Sequence, residues 1–208
     1  MAGLFITFEG PDGSGKTTIA ALVGKALNEK GIDVVLTREP GGIDIAEQIR
    51  KIILEPKNTA MDKRTEALLY AAARRQHLVE KVLPALNEDK IVICDRFVDS
   101  SLVYQGAGRG IGIEEVYEMN LFAIEDIMPD FTIFFDIDPK TGLARTKKDE
   151  NRTLDRLDLE DLSFHQKVYE GYMEVINKYK DRIISIDASK SIEEVLTTVV
   201  TIIEEHLK

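Results

Sequence analysis

The 208-residue sequence has one cysteine, no tryptophan, three histidines and no surplus of positive charge. Cys94 has no partner for an internal disulfide bond, so the fold does not depend on disulfides. Acidic residues exceed basic residues by 37 − 27 = 10, and this net charge of −10 argues against binding to nucleic acid or anionic lipid. No apolar run approaches the roughly 20 residues of a membrane span, and the N-terminus lacks a basic signal-peptide head. We therefore expect a cytoplasmic protein that contacts neither membranes nor nucleic acid.

The rest of the composition is typical of a folded globular protein. Hydrophobic residues make up 44% and charged residues 31%, and the 14 glycines and 6 prolines form no repeat, linker or low-complexity tract. A chain of this length favours one domain with a substantial core, so we predict a single domain over residues 1–208.

Strand and helix patterns alternate along the chain. Apolar, partly β-branched runs predict five strands, at Leu4–Phe8, Val34–Thr37, Ile91–Cys94, Phe131–Phe135 and Ile183–Ile186. Helical periodicity predicts helices at Thr17–Lys30, Asp44–Leu54, Thr65–Asn87, Glu114–Met128, Leu159–Lys180 and Ser191–Leu207. The alternation predicts an α/β fold with a five-stranded parallel sheet covered by helices on both faces. Ligands of such sheets bind beyond the carboxyl ends of the strands.

A phosphate-binding motif follows the first predicted strand and precedes the first predicted helix. It fits G-x-x-x-x-G-K-[ST] and consists of Gly10, Pro11, Asp12, Gly13, Ser14, Gly15, Lys16 and Thr17, and we add Thr18 as the next helical residue. Glycines let successive N–H groups face one anion, Lys16 adds a positive charge, and the Thr17 hydroxyl can bind Mg²⁺. The alternative is a glycine-rich strand-to-helix turn without a ligand.

A guanine-dependent switch is disfavoured. Such proteins need an N-K-x-D element, and the nearest segment, Asn177 to Lys180, ends in lysine instead of the base-reading aspartate. A D-x-x-G element fits only Asp12 to Gly15, inside the phosphate loop itself.

Two arginines follow predicted strands, Arg38 after the second and Arg96 after the third. Both should reach the carboxyl edge of the sheet, where guanidinium groups are suited to clamp a second phosphate. The alternative is that Arg38 and Arg96 only pair with their neighbours Glu39 and Asp95.

Residues four apart suggest a base-binding site. Tyr70 and Arg74 lie on one face of a predicted helix, and Ser101 and Gln105 have the same spacing. An aromatic ring beside a guanidinium group suits a pyrimidine, which offers a face for stacking and a carbonyl oxygen. The alternative for Tyr70 is an ordinary core position. Asp136 and Asp138 are assigned to turn and helix capping around Pro139, and Cys94 and the histidines show no ligand spacing.

The chain resembles the thymidylate kinase family over nearly its whole length. The resemblance rests on the phosphate loop, on T-R-E-P-G-G at residues 37–42, on T-E-A-L-L-Y-A-A-A-R-R at 65–75 and on D-R-F-x-D-S-S-x-x-Y-Q-G at 95–106. It implies a P-loop nucleoside monophosphate kinase fold and transfer of the γ-phosphoryl group of ATP to dTMP, with Mg²⁺ as cofactor, as a step of dTTP synthesis. It also implies a homodimer, and the second, third and fourth predicted helices are long enough to form its interface. A cis peptide at Glu39-Pro40 is a further implication, against the trans default.

The resemblance also implies roles for individual residues. Tyr70 would stack on thymine, Arg74 and Gln105 would bind its edge, and Tyr104 would occupy the space of a ribose 2′-hydroxyl. Asp12 would reach the 3′-hydroxyl of dTMP, unless it is simply a solvated loop residue. The remaining dTMP contacts would be Arg38, Arg50, Arg96 and Ser101. Catalysis would rest on Lys16, Arg96, Arg152 and Asp95, and the metal would be held by Thr17 and, through water, by Asp95.

The charged segment at about 147–161 is predicted to form a lid. The phosphate loop has Asp12 where some family members carry arginine, and members of the bacterial type carry that arginine in a lid instead. This favours Arg152 as the donor to the transferring phosphate and Arg156 as a contact to ATP phosphate or adenine, while a solvated surface run remains the alternative. Two further alternatives for the whole protein are a kinase for another nucleotide or nucleoside, and a nucleotide-dependent regulatory switch.

Overall fold

The structure is a computed structural model that describes residues 3–147 and 155–207. Within these residues five strands form a parallel sheet, as predicted. The strands are β1 (Leu4–Glu9), β2 (Val34–Arg38), β3 (Ile91–Asp95), β4 (Phe131–Asp136) and β5 (Ile183–Asp187). Their order across the sheet is β2-β3-β1-β4-β5. Each predicted strand is confirmed, with ends that differ by one residue at most.

Helices cover both faces of the sheet. They are α1 (Lys16–Glu29), α2 (Asp44–Leu54), α3 (Lys63–His77), α4 (Leu83–Asn87), α5 (Val98–Ser101), α6 (Ile113–Ile124), α7 (Pro139–Thr146), α8 (Leu162–Lys178) and α9 (Ile192–His206). A 3₁₀ turn at Arg156–Leu159 precedes α8. No helix among the described residues is long and apolar enough to cross a membrane.

Side chains alternate between the two faces of β1 and build two cores. Phe5 packs with Phe97 and Tyr172 against α5 and α8. Its neighbour Ile6 packs on the other face with Val23 of α1 and Val199 of α9. Because both faces are covered, the central strands are apolar on both sides, which made them recognisable in the sequence.

Three predicted helices differ from the structure. The segment predicted as Thr65–Asn87 is continuous, but it passes through π-helical turns at Leu78–Val82 just before Pro84, which has no N–H to continue the α-helical pattern. The helix predicted to end at Met128 stops at Ile124, because Glu125 adopts φ 54°. The helix predicted at Leu159–Lys180 begins only at Leu162, where the Asp161 carboxylate accepts the Phe164 N–H at 2.9 Å.

Candidate active site

The phosphate loop joins β1 to α1 and closes around its own lysine. Gly10, Gly13 and Gly15 have φ values of 148°, 75° and 89°, which favour glycine. A Cβ atom on Gly13 would lie 2.1 Å from the carbonyl oxygen of Gly142 in α7, so the close approach of the two elements also requires glycine. The buried Lys16 ammonium donates to the carbonyl oxygens of Gly10 and Pro11, both at 2.9 Å, and to Ser14 Oγ at 3.1 Å. The loop is thus an anion site with its charged residue in place.

A cavity of about 580 Å³ opens beside this loop at the carboxyl edge of the sheet. It brings together most of the predicted site residues, which come from the loop, from the ends of β2 and β3, and from α2, α3 and the segment after β3. They are Asp12, Gly13, Gly15, Lys16, Thr17, Thr18, Arg38, Arg50, Tyr70, Arg74, Asp95, Arg96, Ser101, Tyr104 and Gln105. Gly10, Pro11 and Ser14 lie behind the cavity surface and serve as acceptors for Lys16.

Thr17 and Asp95 meet at the floor of the cavity. The Thr17 hydroxyl donates to Asp95 Oδ2 at 2.5 Å, and Asp95 ends β3 opposite Phe8 of β1. Hydroxyl and carboxylate oxygens are hard ligands of the kind that Mg²⁺ prefers. The two residues predicted to hold the metal, directly or through water, therefore fit it chemically and lie next to the phosphate loop.

Asp12, Arg96 and Tyr104 form one hydrogen-bonded group. Arg96 Nη2 donates to Asp12 Oδ1 at 2.7 Å, and the Tyr104 hydroxyl donates to Asp12 Oδ2 at 3.0 Å. Burial alone would raise the pKa of Asp12, but the charges of Arg96 and Lys16 outweigh it and lower that pKa. The partner of Arg96 is thus Asp12 and not the neighbouring Asp95, and Asp12 is not a solvated loop residue.

Two further arginines lie at the side of the cavity near Pro40. Arg38 Nη2 forms an ion pair with Glu47 Oε1 at 2.9 Å, and Arg50 Nη1 donates to the Pro40 carbonyl oxygen at 2.9 Å. Burial and then the charge of Arg38 lower the pKa of Arg50. The Glu39-Pro40 peptide is cis. Arg38 therefore pairs with Glu47 instead of its neighbour Glu39, and both guanidinium groups remain at the cavity surface.

Arg74 of α3 also lines the cavity and is 1% exposed. Its Nε donates to Glu39 Oε2 at 2.7 Å, its Nη2 to the Phe97 carbonyl oxygen at 2.9 Å, and its Nη1 to Ser101 Oγ at 3.1 Å and to Asn120 Oδ1. Tyr70, one turn earlier, is half-buried and lines the cavity, so it is not a core residue.

A buried cluster behind Arg74 was not expected from ligand spacing. Ligand atoms of Glu39, His77 and Cys94 lie within 4.8 Å of one another. His77 Nδ1 is 2.9 Å from Glu39 Oε1, its Nε2 is 2.7 Å from Thr37 Oγ1, and burial raises the pKa of the Cys94 thiol well above its usual value. A protonated thiol is a poor metal ligand. We interpret the cluster as support for Glu39, in agreement with the structural role predicted for His77 and Cys94.

The two lid arginines have different outcomes. Arg152 lies outside the described residues, as do residues 148–154 of the predicted lid. Arg156 is buried, and it donates to the Ile53 carbonyl oxygen at 2.8 Å and to Glu66 Oε2 at 2.6 Å. Its guanidinium is held between α2 and α3 and it is not among the residues that line the cavity, so this placement does not support the predicted contact of Arg156 with ATP.

Sequence reasoning missed three residues of the site. Arg145 of α7 lines the cavity and donates to the Ala188 carbonyl oxygen at 3.0 Å, next to the phosphate loop. Glu39 and Glu66 are buried carboxylates that hold cavity residues, Arg74 in the case of Glu39 and Gln105 in the case of Glu66. Glu66 precedes Tyr70 by four residues, as Tyr70 precedes Arg74, so the spacing argument already used for Tyr70 would have placed it on the same helix face. Asp138 caps α7 as predicted, whereas Asp136 instead accepts the Tyr169 hydroxyl at 2.9 Å.

Comparison with known proteins gives one consistent family. Residues 8–199 match the family model described as Thymidylate kinase. The thymidylate kinase of Geobacillus sp. (strain WCH70) is 58% identical over 100% of this chain and 99% of that protein, and that of Bacillus licheniformis is 60% identical over 100% and 98%. The crystal structure of thymidylate kinase from Ehrlichia chaffeensis is similar with a TM-score of 0.78 and 35% identity, covering 98% of this chain and 99% of that chain.

Proposed function

The chain belongs to the thymidylate kinase family, with its P-loop nucleoside monophosphate kinase fold, and on that premise we propose how its cavity binds two nucleotides. The activity is the ATP-dependent phosphorylation of dTMP to dTDP, a step in dTTP synthesis. The observation that supports the placement of substrates is that one cavity is lined both by the phosphate loop and by Arg74 and Gln105. ATP then occupies the loop, dTMP the far end, and the reacting phosphates meet between them.

The donor end is built by Lys16, Thr17, Asp95 and the loop backbone. Lys16 and the N–H groups of the loop bind the β- and γ-phosphates. Thr17 and Asp95 would hold Mg²⁺, which when bound neutralises phosphate charge and orients the donor. Arg145 donates a hydrogen bond to the Ala188 carbonyl oxygen. This bond holds the Arg145 guanidinium beside the loop, where it can contact the nucleotide.

The acceptor end is built by the residues around Arg74. Tyr70 stacks on thymine, and Arg74 and Gln105 hydrogen-bond its edge. Ser101 keeps Arg74 in place through its 3.1 Å hydrogen bond. Tyr104 closes the space where a ribose 2′-hydroxyl would lie, because Asp12 fixes its hydroxyl group at 3.0 Å.

The acceptor phosphate lies between the arginines. Arg38, Arg50 and Arg96 surround the middle of the cavity and form the clamp, and Asp12 holds Arg96 in place while remaining available to the 3′-hydroxyl. Transfer is direct and in-line, since placement and charge neutralisation supply the catalysis and no covalent enzyme intermediate is required. We propose Arg152 as the additional donor to the transferring phosphate and residues 147–161 as the lid of a single catalytic domain over residues 1–208.

A homodimer in the cytoplasm completes the proposal. Leu68 of α3 and Leu121 and Phe122 of α6 are 58%, 41% and 92% exposed, and these two helices pack side by side. Light scattering should give twice the chain mass, and Phe122→Glu should reduce it to the monomer. Ile192→Glu on α9, an apolar position that is 57% exposed, is the control outside these two helices and should leave the dimer intact.

A coupled ADP-release assay over a panel of acceptors tests the function. Turnover should be greatest with dTMP. Faster turnover with another nucleoside monophosphate or a deoxynucleoside would indicate the alternative kinase, and absence of ADP formation with every acceptor would indicate a regulatory switch. Arg74→Ala should weaken dTMP use by about 1.5–3 kcal/mol while leaving ATP binding nearly unchanged, and equal losses for both nucleotides would contradict the base-reading role.

A further inference from the structure

Glu66 is a buried carboxylate next to the acceptor end of the cavity, and it has no role in the function proposed above. It lies on α3 and is 1% exposed. Its Oε1 accepts the Gln105 amide Nε2 at 2.8 Å, its Oε2 accepts Arg156 Nη2 at 2.6 Å, and Arg109 Nε lies 3.3 and 3.2 Å from the two oxygens. Burial alone would raise the pKa of Glu66, but the hydrogen bonds from Gln105 and Arg156 outweigh it and lower that pKa. Glu66 is therefore ionised and surrounded by donors.

This contact determines which way the Gln105 amide points. A carboxylate has only acceptor atoms, so Gln105 must present its NH₂ group to Glu66. The carbonyl oxygen, Gln105 Oε1, then points away from Glu66. Within residues 3–147 and 155–207 this oxygen accepts no hydrogen bond, and Gln105 lines the cavity. The amide therefore offers a hydrogen-bond acceptor that remains available to a ligand.

Arg74 offers the complementary donor. A guanidinium group has five N–H groups, and the contacts with Glu39, Ser101, Asn120 and Phe97 use four of them. One N–H of Nη2 remains, and Arg74 lines the cavity. The acceptor end of the cavity thus presents one hydrogen-bond donor, on Arg74, and one acceptor, on Gln105. Each of these two side chains is held by a buried glutamate.

This pair matches thymine and not cytosine. Thymine has an acceptor at O4 and a donor at N3–H, whereas cytosine has an amino donor at C4 and an acceptor at N3. Cytosine would direct its amino group at the Arg74 N–H and its N3 lone pair at the Gln105 oxygen. Uracil has the same edge as thymine and lacks only the methyl group.

We propose that Glu66 is a specificity-determining positioning residue, which holds the Gln105 carbonyl toward the base and so excludes cytosine nucleotides from the acceptor site. This inference rests on the proposed placement of dTMP. Glu66 acts through Gln105 and touches neither the substrate nor the reacting atoms.

The test is Glu66→Gln, measured as kcat/KM for dTMP, dUMP and dCMP. A glutamine at position 66 can either donate or accept, so the Gln105 amide is free to turn. We expect kcat/KM to fall in parallel for dTMP and dUMP and to rise for dCMP, so that the dTMP/dCMP ratio falls by about tenfold to a hundredfold. A purely structural role would lower all three values by the same factor, and that result would overturn the inference.

Two controls separate orientation from stability. Arg109→Gln and Arg156→Gln remove the other partners of Glu66 but leave its contact with Gln105, so they should lower the melting temperature without changing the dTMP/dCMP ratio. In the double variant Glu66→Gln/Gln105→Glu, position 105 can again only accept, and the preference for dTMP should return.

These controls also decide the result if Glu66→Gln alone does not fold. Two results would overturn the inference. One is a double variant that accepts dCMP as readily as dTMP. The other is a dTMP/dCMP ratio of kcat/KM that falls by about tenfold in Arg109→Gln. The proposed function is tested separately by the wild-type protein, because failure to phosphorylate dTMP at all would contradict the substrate assignment whatever the variants do.

Discussion

Above neutral pH, ATP binding is expected to be coupled to proton uptake by the protein, because Lys16 is only partly protonated before the nucleotide binds. Burial and then the positive charge of Arg96 lower the pKa of Lys16 to about 8. In the free protein its Nζ has three neutral acceptors, the Gly10 and Pro11 carbonyl oxygens at 2.9 Å and Ser14 Oγ at 3.1 Å. The phosphates of ATP add several negative charges at the same loop and should return the pKa of Lys16 toward about 10.4, the ordinary lysine value.

The size of the effect follows from that difference. With a pKa of about 8, about half of Lys16 is neutral at pH 8, about one tenth at pH 7 and about nine tenths at pH 9. Binding should therefore take up about 0.5 proton per site at pH 8 and about 0.9 at pH 9. Isothermal titration calorimetry with a non-hydrolysable ATP analogue, in two buffers of different ionisation enthalpy, measures this number from the difference in heat.

Lys16→Arg is the matched control for this experiment. A guanidinium group keeps the positive charge but does not titrate below about pH 12, so proton uptake should be close to zero while the analogue still binds. No uptake by the wild-type protein at pH 9, or equal uptake by both proteins, would refute the assignment of the lowered pKa to Lys16.

Three further predictions address the parts of the site that hold the substrates. Glu39→Gln removes the charge that pairs with the buried Arg74 guanidinium. It should lower the free energy of unfolding, measured in urea, by about 3 kcal/mol, and it should raise the KM for dTMP more than the KM for ATP. A decrease of less than about 1 kcal/mol in the free energy of unfolding would contradict this. Tyr104→Ala should remove the discrimination between dTMP and its ribo-analogue, whereas Tyr104→Phe should keep it, and an unchanged kcat/KM ratio in the alanine variant would show that the ring only packs. Burial and then the charge of Asp99 raise the pKa of Glu9 from 4.5 to about 7. The contribution of Glu9 to the free energy of unfolding is therefore complete below about pH 4.5. It is lost as the pH rises through about 7, by about 1.4 kcal/mol per pH unit. Glu9→Gln should flatten this slope in pH-dependent unfolding, and an identical slope would rule Glu9 out.

The strands and helices could be predicted where the spacing of apolar residues in the sequence matches the residues that are buried in the fold. All five residues of β3 are buried, and the sequence shows this as an uninterrupted apolar run before Asp95. A helix cap before Pro139 was predicted, but the extent of α7 was not, because this helix is short and contains Gly142, a poor helix former. Its glycine has a tertiary reason, since a Cβ atom there would lie 2.3 Å from the Asp12 carbonyl oxygen. Such a contact between distant segments has no local signal.

The same distinction applies to the site. The phosphate loop is local, so its spacing was enough to place Lys16 and Thr17 together. The partners of the cavity arginines are distant: Arg96 and Asp12 are 84 residues apart, and Arg74 and Glu39 are 35 apart. Pairing of arginine with the carboxylate beside it in sequence was the natural alternative, but neighbours along a strand point to opposite faces of the sheet. Only the three-dimensional arrangement of the strands, helices and loops shows which carboxylate each arginine meets.

Three buried glutamates explain how a protein with a net charge of −10 can bind two polyphosphate ligands. Glu9 accepts the Phe97 N–H at 2.7 Å and so fixes the turn that carries Arg96, while Glu39 holds Arg74 and Glu66 holds Gln105. Glu9 and Glu66 are not among the residues that line the cavity, and Glu39 lines it with oxygens that are already bonded to Arg74 and His77. The acidic groups therefore orient the donors that face the ligand instead of repelling it. Since the attraction between charges falls with distance and is screened by salt, the local arrangement at the cavity outweighs the negative charge spread over the rest of the surface.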